Sequence, residues 1–490
     1  VMHVIGRLTG PTMAYMLAEG YHYTRNVKKY AMRLGIFAVI SWLPFSYFES
    51  GGIRPAFGVI YTLFLSLLAI WFWDKAKCSL SVKWLDIFGL CLLSVFGDWA
   101  IFDVLYALTF FRYRESPREK WLSFGGWINA VIPVLIVPYY SVIGGWVIKY
   151  LVEYFRGNAK QLAEDGYFTD FISNGVSTEL CFMAFCAFTL IIIFAGVQNG
   201  IERVSKIMMP ILIVLSVIIA VYSVTRPGAL AGVKYFLVPN VKNFSWMTVV
   251  SAMGQMFYSL SIAMGILITF GSYMKKDTAI EDSTRNVEVF DTGIAIMAGL
   301  MIIPAVFAFS GGDPDTLQAG PSLMFITIPK VFQNMGFGTV IGIVFFLLVL
   351  FAAVTSSIAL TESAVSTFED ELGWGRKKAT VLVGVIMLAL GSLSSLGYGP
   401  LAGIKIIGMQ FLGLFDFLTN SVMMPIAALL TSLLVSRVVG IDKIEDEIIH
   451  GESAFRRKKV FVVMIKYLCP VFAIIILLSS VANALGWIKM

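Results

Sequence analysis

Apolar runs of about 20 residues recur along the chain, separated by short polar loops. Such runs predict helices over 4–20, 32–50, 56–73, 83–96 and 99–111. Further runs predict helices over 121–155, 180–199, 205–225, 246–273, 289–309, 337–367, 379–397, 404–436 and 458–485. Helices are the default for runs of this length, because lipid offers the backbone no hydrogen-bond partner. The pattern therefore predicts an all-α integral membrane protein.

Charge in the loops sets a direction. From residue 112 onward, alternate loops are basic: Arg112, Arg114, Arg118 and Lys120; Arg203 and Lys206; Lys275 and Lys276; Arg376, Lys377 and Lys378; then Arg437 and Arg456 to Lys459. The intervening loops are poorer in Lys and Arg, so the positive-inside rule puts the basic set in the cytoplasm. The helix starting near 121 then runs outward, and the last helix ends outside. The basic run 25–33 and the loop 75–83 also read as cytoplasmic, so 83–111 must cross an even number of times, with a turn at Gly97-Asp98. This parity places Val1 outside and predicts one more helix upstream. The charged stretch "RYRESPREK", 112–120, is a cytoplasmic linker between two apolar blocks, 1–111 and 121–490.

Composition narrows the function classes. With 490 residues, 58% hydrophobic, 14% charged and a mean hydropathy of +0.82, the chain does not read as a soluble domain. The net charge of +6 lies in loops between spans and does not point to nucleic acid. Five scattered cysteines show no metal or CxxC spacing and read as free thiols. No cleavable signal peptide is visible. Nor is there an ATP-binding P-loop, which argues against ATP-driven transport within this chain.

Several predicted spans are interrupted by polar groups. In "MGQMFYSLSIAMGILITFGSY", 253–273, Gln255, Ser259 and Ser261 lie between Gly254 and Gly265. In "LFAAVTSSIALTES", 350–363, Thr355, Ser356 and Ser357 are consecutive and Glu362 follows. Asp291 lies near the start of an apolar run, and Tyr139 and Tyr140 precede two glycines. Small and hydroxyl residues also serve helix packing in lipid, and a tyrosine or an aspartate can mark the membrane boundary. Against that reading, an unpaired carboxylate in lipid costs several kcal/mol. Hydroxyl, carboxylate and carbonyl oxygens suit a small hard cation. Free N–H groups at a half-helix N-terminus suit an anionic group. Helices broken at mid-membrane point to a transporter site.

From about Trp121 to the end, the chain resembles the neurotransmitter:sodium symporter family in its bacterial amino-acid branch. The motifs that carry the resemblance are "YYSVIGGW", "NGIERVSKIMMP", "GQMFYSLSIAMGILITFGSY", and "TSSIAL" followed by "FEDELGWGRKKA". The resemblance implies a LeuT-like helical bundle in the bacterial inner membrane, with family helices three to eleven in 121–490. It implies sodium-driven uptake of an amino acid or related zwitterion, with no enzymatic reaction. By the same resemblance, Ile136, Tyr140, Tyr258, Ser259, Ser261, Met264 and Leu360 contact substrate. Ser259 and Asp291 serve one sodium site; Ala352, Thr355 and Ser356 serve the second. Tyr273 and Asp370 form a cytoplasmic gate, and Asp416 belongs to the outer gate. Asp291 stands where many relatives have asparagine, so its charge removes the need for chloride. Met264 replaces a common aromatic residue and leaves room for a bulky apolar substrate. The family's first two helices, the first of them broken and ligand-bearing, have no counterpart in this block.

Residues 1–111 instead resemble part of the TraX family, which includes a pilin acetyltransferase. The resemblance rests on "IGRLTGPTMAYMLAEGYHYTRNVKKYAMRLGIFAVISWLPF" and "FGDWAIFDVLY". Glu19, His22 and Arg25 suggest an acyl-transfer site, since histidine beside a carboxylate can act as a general base. They equally fit a polar cluster at the membrane boundary. The alternatives to a symporter are therefore a membrane acyltransferase and a fusion in which neither half works.

Overall fold

The computed structural model describes residues 9–50, 57–78, 80–94, 97, 100–112, 117–240, 244–312, 320–406, 408–452 and 454–484. The chain divides into two compact units. One comprises Val1–Trp127 with Asp370–Gly373; the other comprises Ile128–Glu369 with Trp374–Met490.

The first unit contains α1 (Thr9–Tyr23), α2 (Val27–Ser50), α3 (Val59–Lys75), α4 (Leu80–Ser94) and α5 (Ala100–Arg112). Ala14, Leu17 and Ala18 of α1 share a core with Leu63, Leu67 and Ile70 of α3 and Ala107 of α5. Small residues at the contacts let these helices approach closely, as lipid-embedded packing requires. Asp103 is fully buried and accepts a 2.7 Å bond from the Thr62 hydroxyl. Asp98, half of the expected turn at 97–98, lies outside the described residues, as do residues 4–8 of the first predicted helix.

The last four residues of the expected linker, 117–120, are helical. Residues 113–116 lie outside the described set, but α6 (Pro117–Phe155) starts at Pro117 and runs on through Trp127. Proline suits the first helical turn, where its missing N–H goes unused.

In the second unit, α6 continues into α7 (Gly175–Phe194), α8 (Arg203–Val224), α9 (Trp246–Ser259) and α10 (Ile266–Ser272). Then come α11 (Ile280–Ser310), α12 (Gly338–Leu372) and α13 (Arg376–Leu396). The chain closes with α14 (Phe411–Val439), α15 (Ile441–Gly451) and α16 (Lys458–Asn483). Helix α11 starts nine residues ahead of its predicted start at 289, because "EDSTRNVE" is helical though too polar for an apolar-run criterion. Helix α14 starts at 411 rather than 404, after turns rich in glycine and proline. Short helices such as Tyr167–Ser173 and Ala229–Leu237 carry too few apolar residues to be seen from the pattern.

Trp146 and Tyr150 of α6 are buried edge-on against Phe325, and Tyr150 stacks on Phe346 of α12. At Gly145 a Cβ would lie 2.7 Å from the backbone nitrogen of Phe182, so glycine is what lets α6 and α7 touch. Eight helices among the described residues are long and apolar enough to span a bilayer. The stretch 246–272 is not one of them, because it is broken into α9 and α10.

Candidate functional site

The break between α9 and α10 organises the site. Helix α9 is opened by a capping box at Ser245 and ends at Ser259. Ser261, Ala263 and Gly265 then take positive φ values of 54°, 59° and 73°. Two non-glycine residues in the left-handed region cost about 1–2 kcal/mol each, which surrounding structure must offset. Gly265 precedes α10 and cannot be replaced cheaply. A Cβ there would lie 2.8 Å from Ser363 Oγ and 3.0 Å from the Asn129 carbonyl oxygen. The break exposes main-chain groups: the first N–H groups of α10 have no partner within that helix.

Beside the break lies a cavity of about 590 Å³. Its walls come from four stretches of sequence. Ile136 and Tyr140 come from α6, and Ser205 and Met209 from α8. Gln255, Tyr258, Ser259, Ser261 and Met264 come from the broken helix, and Thr355, Ser356 and Leu360 from α12. Asp291 reaches the same place from α11, accepting a 2.5 Å hydrogen bond from the Ser259 hydroxyl. Every substrate-contact residue expected from the sequence thus lines one cavity. Ala352 sits one turn from Ser356, and its carbonyl accepts the Thr355 hydroxyl at 3.0 Å. The oxygens of Ser259, Asp291, Thr355 and Ser356 are hard donors of the type a small cation takes.

The two adjacent tyrosines separate. Tyr140 lines the cavity, while Tyr139 is buried and donates to Asp416 of α14 at 3.3 Å. Asn420 also donates to Asp416, at 2.5 Å. Asp416 thus lies in a hydrogen-bonded cluster with Tyr139 and Asn420, neither of which had been picked out for that contact.

Of the residues expected at a cytoplasmic gate, Tyr273 has a partner other than Asp370. Tyr273 donates to Glu362 at 2.8 Å. The fully buried Glu362 is gripped by both guanidinium nitrogens of Arg376, at 2.9 and 2.5 Å. Arg376 also donates to the Ile193 carbonyl at 3.1 Å. Asp370 is exposed two turns beyond Glu362. Arg376 had counted only as a loop charge. The signal that could have found this pair was Glu362 itself, since an acidic residue within an apolar run needs a partner. Glu362 and Thr269, with Ser363 and Ser366, line a polar seam between α10 and α12.

In the first unit, His22 is exposed at the end of α1, with its ring edge-on to Tyr23 at 5.4 Å. The buried tyrosine there, Tyr21, donates to Asp74 at 2.8 Å.

Membrane-length helices around a cavity that places hydroxyl groups among apolar side chains at a helix break are the construction of a secondary transporter. The profile of the Sodium:neurotransmitter symporter family matches residues 151–487, and that described as TraX protein matches 1–148. The chain is 33% identical over 372 residues to the sodium-dependent transporter YhdH of Bacillus subtilis, spanning 75% of this chain and 81% of that one. It is 30% identical to a sodium-dependent transporter of Haemophilus influenzae, over 74% and 80% of the two chains. The crystal structure of MhsT in complex with L-phenylalanine is similar at a TM-score of 0.65 and 29% identity, covering 85% of this chain and 88% of that one.

The chain therefore belongs to the sodium:neurotransmitter symporter family. Its fold is the LeuT-like helical bundle, preceded by a TraX-like segment. It is a multi-pass sodium-dependent transporter and not an enzyme, so the acyltransferase alternative is set aside. The TraX match extends beyond the 1–111 read from the sequence and takes in much of α6. The 372-residue likeness to YhdH is itself longer than the 151–487 match.

Proposed function

We propose that the chain takes up an amino acid with a bulky apolar side chain, driven by sodium, across the bacterial inner membrane by alternating access. The observation that carries this reading is the cavity at the α9–α10 break, with the Ser259–Asp291 contact at its edge. Tyr140 meets the substrate carboxylate beside the helix break. Ile136, Met264 and Leu360 enclose its side chain, with Tyr258, Ser259 and Ser261 at the break. Ser259 and Asp291 hold one sodium ion. The second is held by Ala352 through its carbonyl, Thr355 and Ser356. Asp291 brings the negative charge itself, so transport needs no chloride. The L-phenylalanine in the MhsT complex supports a large apolar side chain here, as does the unbranched, adaptable Met264.

Tyr273 with Glu362 and Arg376 closes the cytoplasmic side, Asp370 lies at its rim, and Asp416 closes the outer side. The module counts family helices three to eleven in 121–490.

The test is uptake of labelled amino acids, phenylalanine among them, by proteoliposomes holding the full chain. Uptake is expected under an inward sodium gradient, with or without chloride, and not under an equal potassium gradient. Absence of sodium-dependent uptake would sink the reading.

A further inference from the structure

Two distant segments of the second unit cap each other's helices. The Glu452 carboxylate, just after α15, accepts the backbone N–H groups of Glu281 at 2.6 Å and Asp282 at 3.3 Å. These residues lie in the first turn of α11, whose own N-cap residue, Ala279, supplies no side-chain cap. In return, the Glu281 carboxylate accepts the N–H groups of Arg456 at 2.9 Å and Arg457 at 3.1 Å. Arg457 stands immediately ahead of α16, which likewise lacks a cap of its own. The Arg457 guanidinium reaches Glu288, two turns further along α11, at 2.7 Å. At Gly451 a Cβ would lie 2.5 Å from the Thr278 carbonyl oxygen, so the two backbones are in contact as well.

Each carboxylate meets a need of the other's helix. The first N–H groups of a helix have no internal partner, and an anion there also meets the positive end of the dipole. Glu281, though charged, has only 11% of its side chain exposed. Local capping within 279–284 would have left α11 independent of the 452–458 segment. The arrangement instead ties its start to a segment more than 160 residues away.

Asp291 lies on the same helix, about 15 Å beyond Glu281 at 1.5 Å per residue. An uninterrupted helix transmits a shift or rotation of its first turn along that length. The Ser259–Asp291 bond is short and directional, so a small displacement of α11 breaks it.

We propose that Glu281, Glu452 and Arg457 are positioning residues. By reciprocal capping they fix the depth and rotation of α11, and so hold Asp291 at Ser259 in a sodium-binding arrangement. The proposal rests on the sodium role of Asp291 given above.

Equilibrium binding of radioactive sodium to the full chain in lipid, with backbone amide exchange, tests it. Glu452→Ala is expected to raise half-saturating sodium roughly five- to tenfold, the scale of a lost helix cap, with maximal binding unchanged. Amide exchange at Glu281 and Asp282 is expected to quicken. Glu452→Gln keeps an acceptor oxygen and is expected to restore most of the affinity; Arg457→Ala is expected to fall between the two. Asp291→Ala separates the possible failures. If it weakens sodium binding while Glu452→Ala and Arg457→Ala leave half-saturation unchanged, the caps are merely structural and the positioning role is wrong. If Asp291→Ala itself has no effect, the sodium role fails, and the positioning role falls with it.

Discussion

The two walls of the cavity are built on opposite principles. On one side, 260–265 abandons the helix, and Ser261, Ala263 and Gly265 hold left-handed backbone. On the other, α12 runs unbroken for 35 residues, with Thr355 and Ser356 on regular turns. The broken wall offers main-chain groups and depends on backbone conformation. The continuous wall offers side-chain oxygens and depends on α12 staying in place, which the Glu362–Arg376 pair secures. A transporter needs one surface that can rearrange and one that can serve as its reference. A wall of this second kind, paired through a buried carboxylate, suits the reference role.

That contrast is open to attack from both walls. The largest effect is expected from Arg376→Met, which strands the buried Glu362 carboxylate beside Tyr273 alone. Breaking a buried pair by removing one partner costs about 3 kcal/mol. Thermal unfolding in detergent should show it, and the double variant with Glu362→Gln should regain most of the loss. A single variant as stable as the parent would show that α12 does not depend on the pair.

Next comes Gly265→Ala, which puts a Cβ on left-handed backbone against Ser363 and Asn129. A loss of about 2 kcal/mol in stability is expected. Gly254→Ala, with nothing within 4 Å of the added Cβ, is the control and should change little. Equal losses from both would mean that the break is not where the strain is held.

The ligand positions should separate more finely. Asp291→Ala is expected to raise half-saturating sodium at least about tenfold, as loss of a charged ligand worth more than 1.4 kcal/mol would. Asp291→Asn keeps an oxygen but loses the charge, and uptake is expected to become chloride-dependent. Chloride-independent uptake by that variant would remove the charge argument. The smallest effect is expected from Tyr273→Phe, which takes one hydrogen bond from Glu362 but leaves Arg376 in place. Stability should fall by about 1 kcal/mol, with faster leak of substrate through the cytoplasmic side. A loss as large as that of Arg376→Met would make Tyr273 the principal partner of Glu362.

Much of this was legible before any coordinates. Apolar run length predicted the spans from residue 121 onward, the broken 246–272 stretch aside, because the backbone's need for internal hydrogen bonds leaves a lipid-embedded chain little choice. Ser259, Ser261 and Gly265 marked the break, because an apolar helix has no use for hydroxyls and glycines so placed. Ser259 and Asp291 were expected to lie together, and the structure joins them by a direct hydrogen bond.

Partnership was not legible in the same way. The pattern could not say that Tyr139 turns to Asp416 while its neighbour Tyr140 faces the cavity, since one residue rotates a helical side chain by about 100°. It treated Arg376 as a topology charge, although the fold folds it back onto Glu362. It ended the predicted helix short of Glu281, whose value lies in reaching a segment far along the chain. Run length, break points and donor chemistry are properties of a local stretch, and the sequence by itself determined them. Which donor meets which acceptor depends on how stiff helices cross. Only the tertiary structure decided that, because packing brings together residues that no local rule connects.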